Sequence, residues 1–197
     1  PLPTIPSPLR AALADRYTLE REVGRGGMAT VYLARDVKHD RPVAVKVFNP
    51  VLAGQCCEPE RFLQEIRIAA RLVHPGILPL HDSGERDGYL YFVMPYMDYD
   101  TLRGTIERGR VSVEEALSVA RSLAAALDYA HRQGVVHRDL KPANILMHAG
   151  GPVLADFGVA RAVQVAERAA GVITERGLAI GTPEYMSPEQ AAADGEV

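Results

Sequence analysis

Four side chains between Asp139 and Asp156 have the types and spacing that phosphoryl transfer to a hydroxyl requires. The chain reads HRDLKPANIL from residue 137 and DFG from residue 156. Asp139 can accept the proton of a hydroxyl, and Lys141 can neutralise charge on the moving phosphoryl group. The amide of Asn144 and the carboxylate of Asp156 offer the oxygen ligands that Mg²⁺ prefers. The spacing therefore indicates magnesium-assisted phosphoryl transfer.

A glycine-rich turn near the start of the chain is a candidate phosphate-binding loop. It consists of Gly24, Arg25, Gly26 and Gly27. Without a Cβ, glycine lets backbone N–H groups approach a phosphate closely, although structural hairpins use glycine as well. A predicted strand follows the turn, whereas a dinucleotide-binding turn is followed by a helix. The turn alone leaves the structural and the phosphate-binding interpretations open.

A lysine and a glutamate downstream of this turn form a candidate pair. Lys46 stands near the end of an apolar, strand-like run over residues 42–48, which disfavours a surface strand lysine. Glu65 lies on the apolar face of a helix predicted from about 59 to 72. The alternative interpretation is that Glu65 lies at the solvated edge of this face. A carboxylate on a buried face, however, requires a cationic partner. With Lys46 available, we favour the pair.

The remaining elements that position these residues are predicted from periodicity. Strands are expected at 17–19, 30–33, 77–80 and 89–94. A capping box of Ser112 and Glu115 begins a long amphipathic helix, which Gly134 ends just before the loop at residue 137. Its predicted apolar stripe consists of Val113, Ala116, Leu117, Ala120, Leu123, Ala124, Leu127 and Ala130.

In this order and spacing, the motifs resemble those of bacterial eukaryotic-like (Hanks-type) serine/threonine protein kinases. The sequences of residues 26–32 and 181–190 carry this resemblance, and residues 187–189 stand at the A-P-E position of the family. It implies an α+β, two-lobed protein-kinase-like fold. The expected parts are an N-terminal linker at 1–16, a small lobe at 17–94 with an antiparallel sheet and one helix, a hinge at 95–98 and a mainly helical large lobe at 99–197. Family members continue with further helices, so we expect this large lobe to be incomplete.

The resemblance also implies binding of ATP and Mg²⁺. Lys46, held by Glu65, would bridge nucleotide phosphates beneath the glycine-rich turn, where Ala29 replaces the third glycine of the family pattern. Asn144 and Asp156 would ligate Mg²⁺. The residues implied for the base and ribose are Val31, Ala44, Met94 as gatekeeper, Pro95 and Met97 in the hinge, Leu146, and Asp100 at the ribose.

Regulatory residues follow from the same resemblance. Thr174 lies in the expected activation segment, and we predict that it is autophosphorylated and that its phosphate pairs with Arg138. Thr182 is expected to form hydrogen bonds near Asp139 and Lys141. The resemblance further implies protein substrates, with serine or threonine acceptors favoured by Lys141, and a homo-oligomer for autophosphorylation in trans.

Composition limits the partners and the compartment. The 197-residue chain has a formal net charge of −3 and 47% hydrophobic residues, so no basic field favours nucleic acid or an anionic membrane. Its two cysteines are adjacent and form no disulfide framework, which predicts a cytoplasmic location, with any membrane anchor outside this segment. The alternatives to a protein kinase are a nucleotide-binding regulatory scaffold, or an inactive fragment because of the incomplete lobe, and a small-molecule phosphotransferase.

Overall fold

The computed structural model describes residues 5–26, 29–49, 59–109, 111–157 and 183–191. The first lobe is built on a five-stranded antiparallel sheet with the spatial order β1-β2-β3-β5-β4. Its strands are β1 (Tyr17–Arg25), β2 (Ala29–Asp36), β3 (Arg41–Phe48), β4 (Asp82–Arg86) and β5 (Tyr89–Pro95). Antiparallel neighbours need only short turns, which matches the glycine-rich and charged turns that separate the first three strands.

Strand β3 lies in the middle of the sheet and contributes to two cores. Its valines Val43 and Val45 are buried in an outer cluster, whereas Ala44 and Phe48 are buried in an inner cluster on the opposite face. Because side chains alternate across a strand, Lys46 lies on the inner face with Ala44. The β-branched run predicted as a strand is therefore confirmed, and it directs Lys46 toward the side where the second lobe lies.

One helix covers the inner face of the sheet. Helix α2 (Pro59–Ala69) buries Phe62 and Ile66 in the inner cluster, and Phe62 packs edge-on against Phe48 with ring centroids 4.9 Å apart. The predicted helix is confirmed, but it ends at Ala69 instead of residue 72. Leu72 follows in a turn and is buried with residues of the second lobe.

The strand predicted at residues 77–80 is wrong. Ile77 forms only an isolated bridge to Leu154, and the strand of this region is the polar β4 (Asp82–Arg86), which pairs with β5. Ile77 and Leu78 are apolar because they are buried in cores, not because they belong to a sheet. Pro79 in addition lacks the N–H that a strand ladder needs.

The residues expected to form a linker before the sheet include a packed helix. Helix α1 (Ser7–Leu13) follows Pro6 and carries Pro8 in its first turn, where a missing N–H has no cost. Ile5, Leu9 and Leu13 are buried in the outer cluster against β1, β2, β3 and β5. Two of the prolines that favoured a linker interpretation, Pro6 and Pro8, are therefore those of a helix start.

The second lobe begins after β5 and leads to the catalytic-loop motif. Its described elements are β6 (Asp100–Thr101), α3 (Leu102–Glu107), α4 (Val113–Arg132), a 3-10 turn at Pro142–Asn144, β7 (Ile145–His148), β8 (Gly151–Leu154), a 3-10 turn at Pro183–Tyr185 and α5 (Pro188–Ala191). Strands β6, β7 and β8 form a small antiparallel sheet. None of the helices in the described ranges is long and apolar enough to span a membrane.

Helix α4 confirms the predicted capping box and corrects the predicted apolar stripe. Ser112 and Glu115 bond reciprocally at its start, and Gly134 adopts a positive φ of 73° just after its end. Its buried residues are Ala126 and Ala130, whereas Val113 and Leu117 of the predicted stripe are 79% and 50% exposed. Of the predicted stripe, only Leu123, Leu127 and Ala130 pack against the described part of the lobe.

We predict that α1 stabilises the first lobe. Leu9→Ala removes a buried side chain from the outer cluster and should lower the free energy of unfolding by about 2–5 kcal/mol, measured by urea titration. Arg10→Ala, at an exposed position one residue along the same helix, should change it by about 0.5 kcal/mol or less. Equal effects of the two substitutions would contradict a packing role for α1.

Candidate active site

The catalytic-loop motif is anchored at its start by a buried histidine. The His137 ring packs edge-on against Phe157, with ring centroids 4.6 Å apart. Its Nε2–H donates to the carbonyl oxygen of Ala155 at 2.9 Å, and its Nδ1 accepts from the backbone N–H of Asp139 at 3.3 Å. Burial lowers the pKa of His137, so the neutral ring with Nε2 protonated fits both bonds. The histidine therefore fixes the backbone and is not placed to deliver a proton.

The three predicted loop residues form one hydrogen-bonded group. Lys141 Nζ lies 3.0 Å and 2.8 Å from the two carboxylate oxygens of Asp139. Asn144 Nδ2 donates at 2.9 Å both to the carbonyl and to Oδ2 of Asp139. The Asp139 carboxylate is thus oriented by two donors and remains 26% exposed. This is the arrangement expected of a carboxylate that must meet an incoming hydroxyl.

Lys46 is paired with the second predicted metal ligand. Its Nζ donates to Oδ2 of Asp156 at 2.6 Å, with the side chains only 16% and 19% exposed. The predicted partner, Glu65, belongs to α2, but its side chain lies outside the described residues. The pairing of Lys46 with Glu65 therefore stays a prediction, and the pairing with Asp156 is an addition from the structure.

The glycine-rich turn keeps space free on its surface. Gly24 and Arg25 form the end of β1, and the N–H of Gly26 donates to the carbonyl of Ala29 at 2.9 Å. A Cβ added to Gly24 would meet no atom within 4 Å, so packing inside the protein does not require glycine there. The free space suits the approach of a phosphate. Gly27 lies outside the described residues.

The apolar residues implied for the base share one cluster. Ala44 and Met94, opposite each other in β3 and β5, are buried in the inner cluster. Val31, Met97 and Leu146 are partly buried against the same cluster. Pro95 ends β5 opposite Val43, so its position at the junction of the lobes is consistent with a hinge.

Asp100, implied at the ribose, is engaged within its own segment. Its Oδ1 accepts from the N–H of Thr101 at 2.9 Å, and its carboxylate forms an ion pair with Arg108. The aspartate is nevertheless partly exposed, with 39% of its side chain accessible. Contact with a ribose hydroxyl would therefore compete with Arg108, and this role stays a prediction.

The residues predicted to regulate the site are only partly described. Thr174 and Thr182 lie outside the described residues. Arg138, the predicted phosphate partner, sits between His137 and Asp139 with a φ of +66°, in the left-handed region that non-glycine residues rarely adopt. Asp156 has a φ of +65°. Strained backbone at these two positions is typical of functional sites.

Sequence reasoning missed Gln190. Its Nε2 donates to the carbonyl oxygen of Arg138 at 2.7 Å, which connects α5 to the catalytic loop. The spacing of Ser187 and Gln190 is that of a capping box, a signal that was available in the sequence. That pattern predicts a helix start, but it does not predict the contact with Arg138.

The oxygen donors of the site fit a magnesium ion. Oδ1 of Asp156 is buried and has no hydrogen-bond partner among the described residues, an arrangement that a cation would satisfy. Asn144 supplies an amide on the neighbouring turn, and one carboxylate with one amide is a small donor set. Mg²⁺ is commonly held by few protein ligands together with water and substrate phosphates. No group of three or more His, Cys, Asp or Glu suited to a metal occurs in the described ranges.

Comparison with known proteins matches this chain to one family. Residues 17–195 match the protein kinase domain, so that α1 precedes the matched residues. The serine/threonine-protein kinase PknB of Mycobacterium leprae is 42% identical over 188 residues, which cover 92% of this chain and 30% of that protein. PknL of Mycobacterium tuberculosis is 42% identical over 186 residues, which cover 93% and 45%. The chain thus spans less than half the length of these two relatives.

Solved structures show the same similarity. The kinase domain of Mycobacterium tuberculosis PknI matches with a TM-score of 0.65 and 40% sequence identity. The match covers 73% of this chain and 60% of the PknI chain. The two-lobed fold predicted from the motifs is therefore confirmed.

We predict that the buried His137 makes stability depend on pH. Because its pKa is lowered in the folded state, the unfolded chain binds a proton more readily as pH falls through about 6.5, the usual value. The free energy of unfolding should then fall by at most about 1.4 kcal/mol per pH unit from this group. Urea titrations from pH 8 to pH 5.5 should give a shallower pH slope in His137→Gln.

The control is His131→Gln, which removes an exposed histidine near the end of α4. It tests the loss of a histidine as such and should keep the wild-type slope. An unchanged slope in His137→Gln would mean that burial of this ring has no effect on proton binding.

Proposed function

The chain belongs to the protein kinase domain family, in its serine/threonine branch, and we propose that the protein containing it transfers the γ-phosphoryl group of ATP to serine or threonine hydroxyls of proteins. The observation that carries this proposal is the hydrogen-bonded group of Asp139, Lys141 and Asn144. The names of the relatives support the assignment to the serine/threonine protein kinases. The acceptor residues and the use of ATP are proposed in addition.

In the proposed reaction, Asp139 orients the acceptor hydroxyl and takes its proton as the new bond forms. The hydroxyl oxygen bonds to the γ-phosphorus, the bond from that phosphorus to the β,γ-bridging oxygen breaks, and ADP leaves. Lys141, which contacts both oxygens of Asp139, places a positive charge beside the transferring group. Asn144 holds the carboxylate against rotation by donating to its Oδ2. Positioning and charge are the main contributions that this chemistry needs.

The nucleotide is proposed to bind between the lobes. Lys46, on the inner face of β3, would contact its phosphates under the turn at Gly24 to Gly27. The adenine ring would lie against the inner cluster near Ala44 and Leu146. Pro95 keeps a carbonyl that can accept from the adenine amino group, and Met97 can offer an N–H.

Magnesium is proposed to be held by Asn144 and Asp156. When bound, it would neutralise charge on the phosphates of ATP. Oδ1 of Asp156 has no hydrogen-bond partner among the described residues, which supports this assignment, because the other oxygen of the same carboxylate already contacts Lys46. Glu65 is proposed to hold Lys46 when the nucleotide is bound, in place of or together with Asp156.

We expect Asp139→Asn to abolish transfer and keep nucleotide binding. The amide cannot accept the hydroxyl proton, so kcat should fall by about 10²- to 10⁴-fold. The measurement is incorporation of labelled phosphate from Mg-ATP into protein, with ATP affinity determined by calorimetry. Asp128→Asn, which changes an exposed aspartate of α4 paired with Arg132, is the matched control and should retain wild-type activity.

The two readouts separate the alternatives. A wild-type protein that binds ATP but transfers no phosphate would be a nucleotide-binding scaffold, and the proposed function would be wrong. Full activity of Asp139→Asn would leave phosphoryl transfer intact but remove the proposed role of Asp139.

Thr174 is proposed as an autophosphorylation site whose phosphate pairs with Arg138. A phosphothreonine carries enough charge to order a segment against an arginine. Mass spectrometry of active protein should detect phosphate on Thr174 and not in the Thr174→Val variant. Adding wild-type protein to Asp139→Asn protein should phosphorylate Thr174 of the inactive variant if the reaction occurs in trans between two copies. Active protein with unmodified Thr174 would rule out this site.

A further inference from the structure

The side chain of Gln190 connects two segments that the proposed reaction uses separately. Its Nε2 donates to the carbonyl oxygen of Arg138 at 2.7 Å, across 52 residues of chain. Its Oε1 accepts from the N–H of Ser187 at 3.2 Å, while its own N–H donates to Ser187 Oγ at 3.3 Å. One amide therefore contributes both to the start of α5 and to the catalytic loop.

The carbonyl that Gln190 contacts lies at a strained point of the loop. Arg138 has a φ of +66°, which an arginine rarely adopts, and its carbonyl belongs to the peptide bond that leads directly into Asp139. Rotation of this peptide plane would redirect the Asp139 backbone and with it the carboxylate. A short hydrogen bond to the carbonyl opposes that rotation.

Other described hydrogen bonds hold the N–H end of this peptide and the Asp139 side chain. His137 accepts from the N–H of Asp139, and Asn144 donates to the carbonyl and carboxylate of Asp139. These contacts hold the far side of the peptide bond and the side chain. Gln190 supplies a restraint on the Arg138 carbonyl, so these four hydrogen bonds from three residues hold both Arg138 and Asp139 in place.

We propose that Gln190 is a positioning residue that holds the Arg138–Asp139 peptide in its strained conformation and thereby aims the Asp139 carboxylate at the acceptor hydroxyl. The inference rests on the proposed kinase function. It goes beyond that function because it makes the catalytic loop depend on α5, at the end of the segment that contains Thr174.

Glutamate at position 190 tests the proposal with little change in shape. In Gln190→Glu, a carboxylate oxygen still accepts from the N–H of Ser187, and glutamate suits this capping-box position. The variant therefore keeps the start of α5. It has no N–H to donate, and it places a negative charge beside the Arg138 carbonyl.

The measurements use the full-length protein. Gln190→Glu should lower kcat about 10- to 100-fold and leave KM for ATP within about 2-fold, because loop geometry changes and the nucleotide contacts do not. Hydrogen exchange should become faster at the amide of Asp139. Gln190→Met, which removes the donor without adding charge, should give the same changes and serves if the glutamate variant does not fold.

Two control variants separate positioning from general structure. Ser187→Ala removes the hydroxyl at the start of α5 but keeps the donor to Arg138, and its kcat should stay within about 3-fold of wild type. Gln133→Glu makes the same chemical change at an exposed residue after α4 and should have no effect.

Each outcome decides the proposal. Wild-type kcat and exchange in Gln190→Glu would overturn it, as would equal losses in Gln190→Glu and Ser187→Ala, which would show that only the α5 start matters. A wild-type protein without transfer activity would refute the proposed function, and the exchange rate at Asp139 would then decide the structural role of Gln190 by itself.

Discussion

The ion pair between Lys46 and Asp156 is the contact on which the geometry of the site depends. It joins β3 of the first lobe to the segment after β8, 110 residues further along the chain, with 2.6 Å between Nζ and Oδ2. Both side chains are largely buried, where attraction is stronger than in water and where an unpaired charge is costly. The pair therefore holds the two lobes together beside the proposed phosphate site.

Hydrogen bonds to the backbone near the end of β8 position Asp156 for this ion pair. The N–H of Leu78 donates to the carbonyl of Leu154 at 2.8 Å, and the N–H of Ala155 donates to the carbonyl of Asn144 at 2.9 Å. The ring of His137 donates to the Ala155 carbonyl. Two segments, the one at Leu78 and the catalytic loop, thus contact two consecutive residues, Leu154 and Ala155, so hydrogen bonds to the backbone set the direction in which the chain continues to Asp156.

The spacing of residues along the sequence predicts those elements whose structure is determined by residues a few positions apart. The β3 strand, the α4 capping box and the loop from His137 all depend on residues a few positions apart. Strand β4 (Asp82–Arg86) could not be predicted in this way, because its polar residues form a strand only by pairing with β5. Ile77 misleads in the opposite way: its apolar side chain suggests a strand, but the residue is buried in a core and belongs to no sheet.

Partners far apart in sequence are harder to predict than site residues. The sequence predicts Glu65 as the partner of Lys46 and assigns Asp156 only to the metal, because nothing in the spacing along the chain indicates that residues 46 and 156 meet. The structure places Oδ2 of Asp156 on Lys46 and leaves Oδ1 buried without a hydrogen-bond partner among the described residues. One carboxylate can therefore serve the lysine and a cation together, so the ion pair that joins the lobes would not have to break on binding of the proposed magnesium ion.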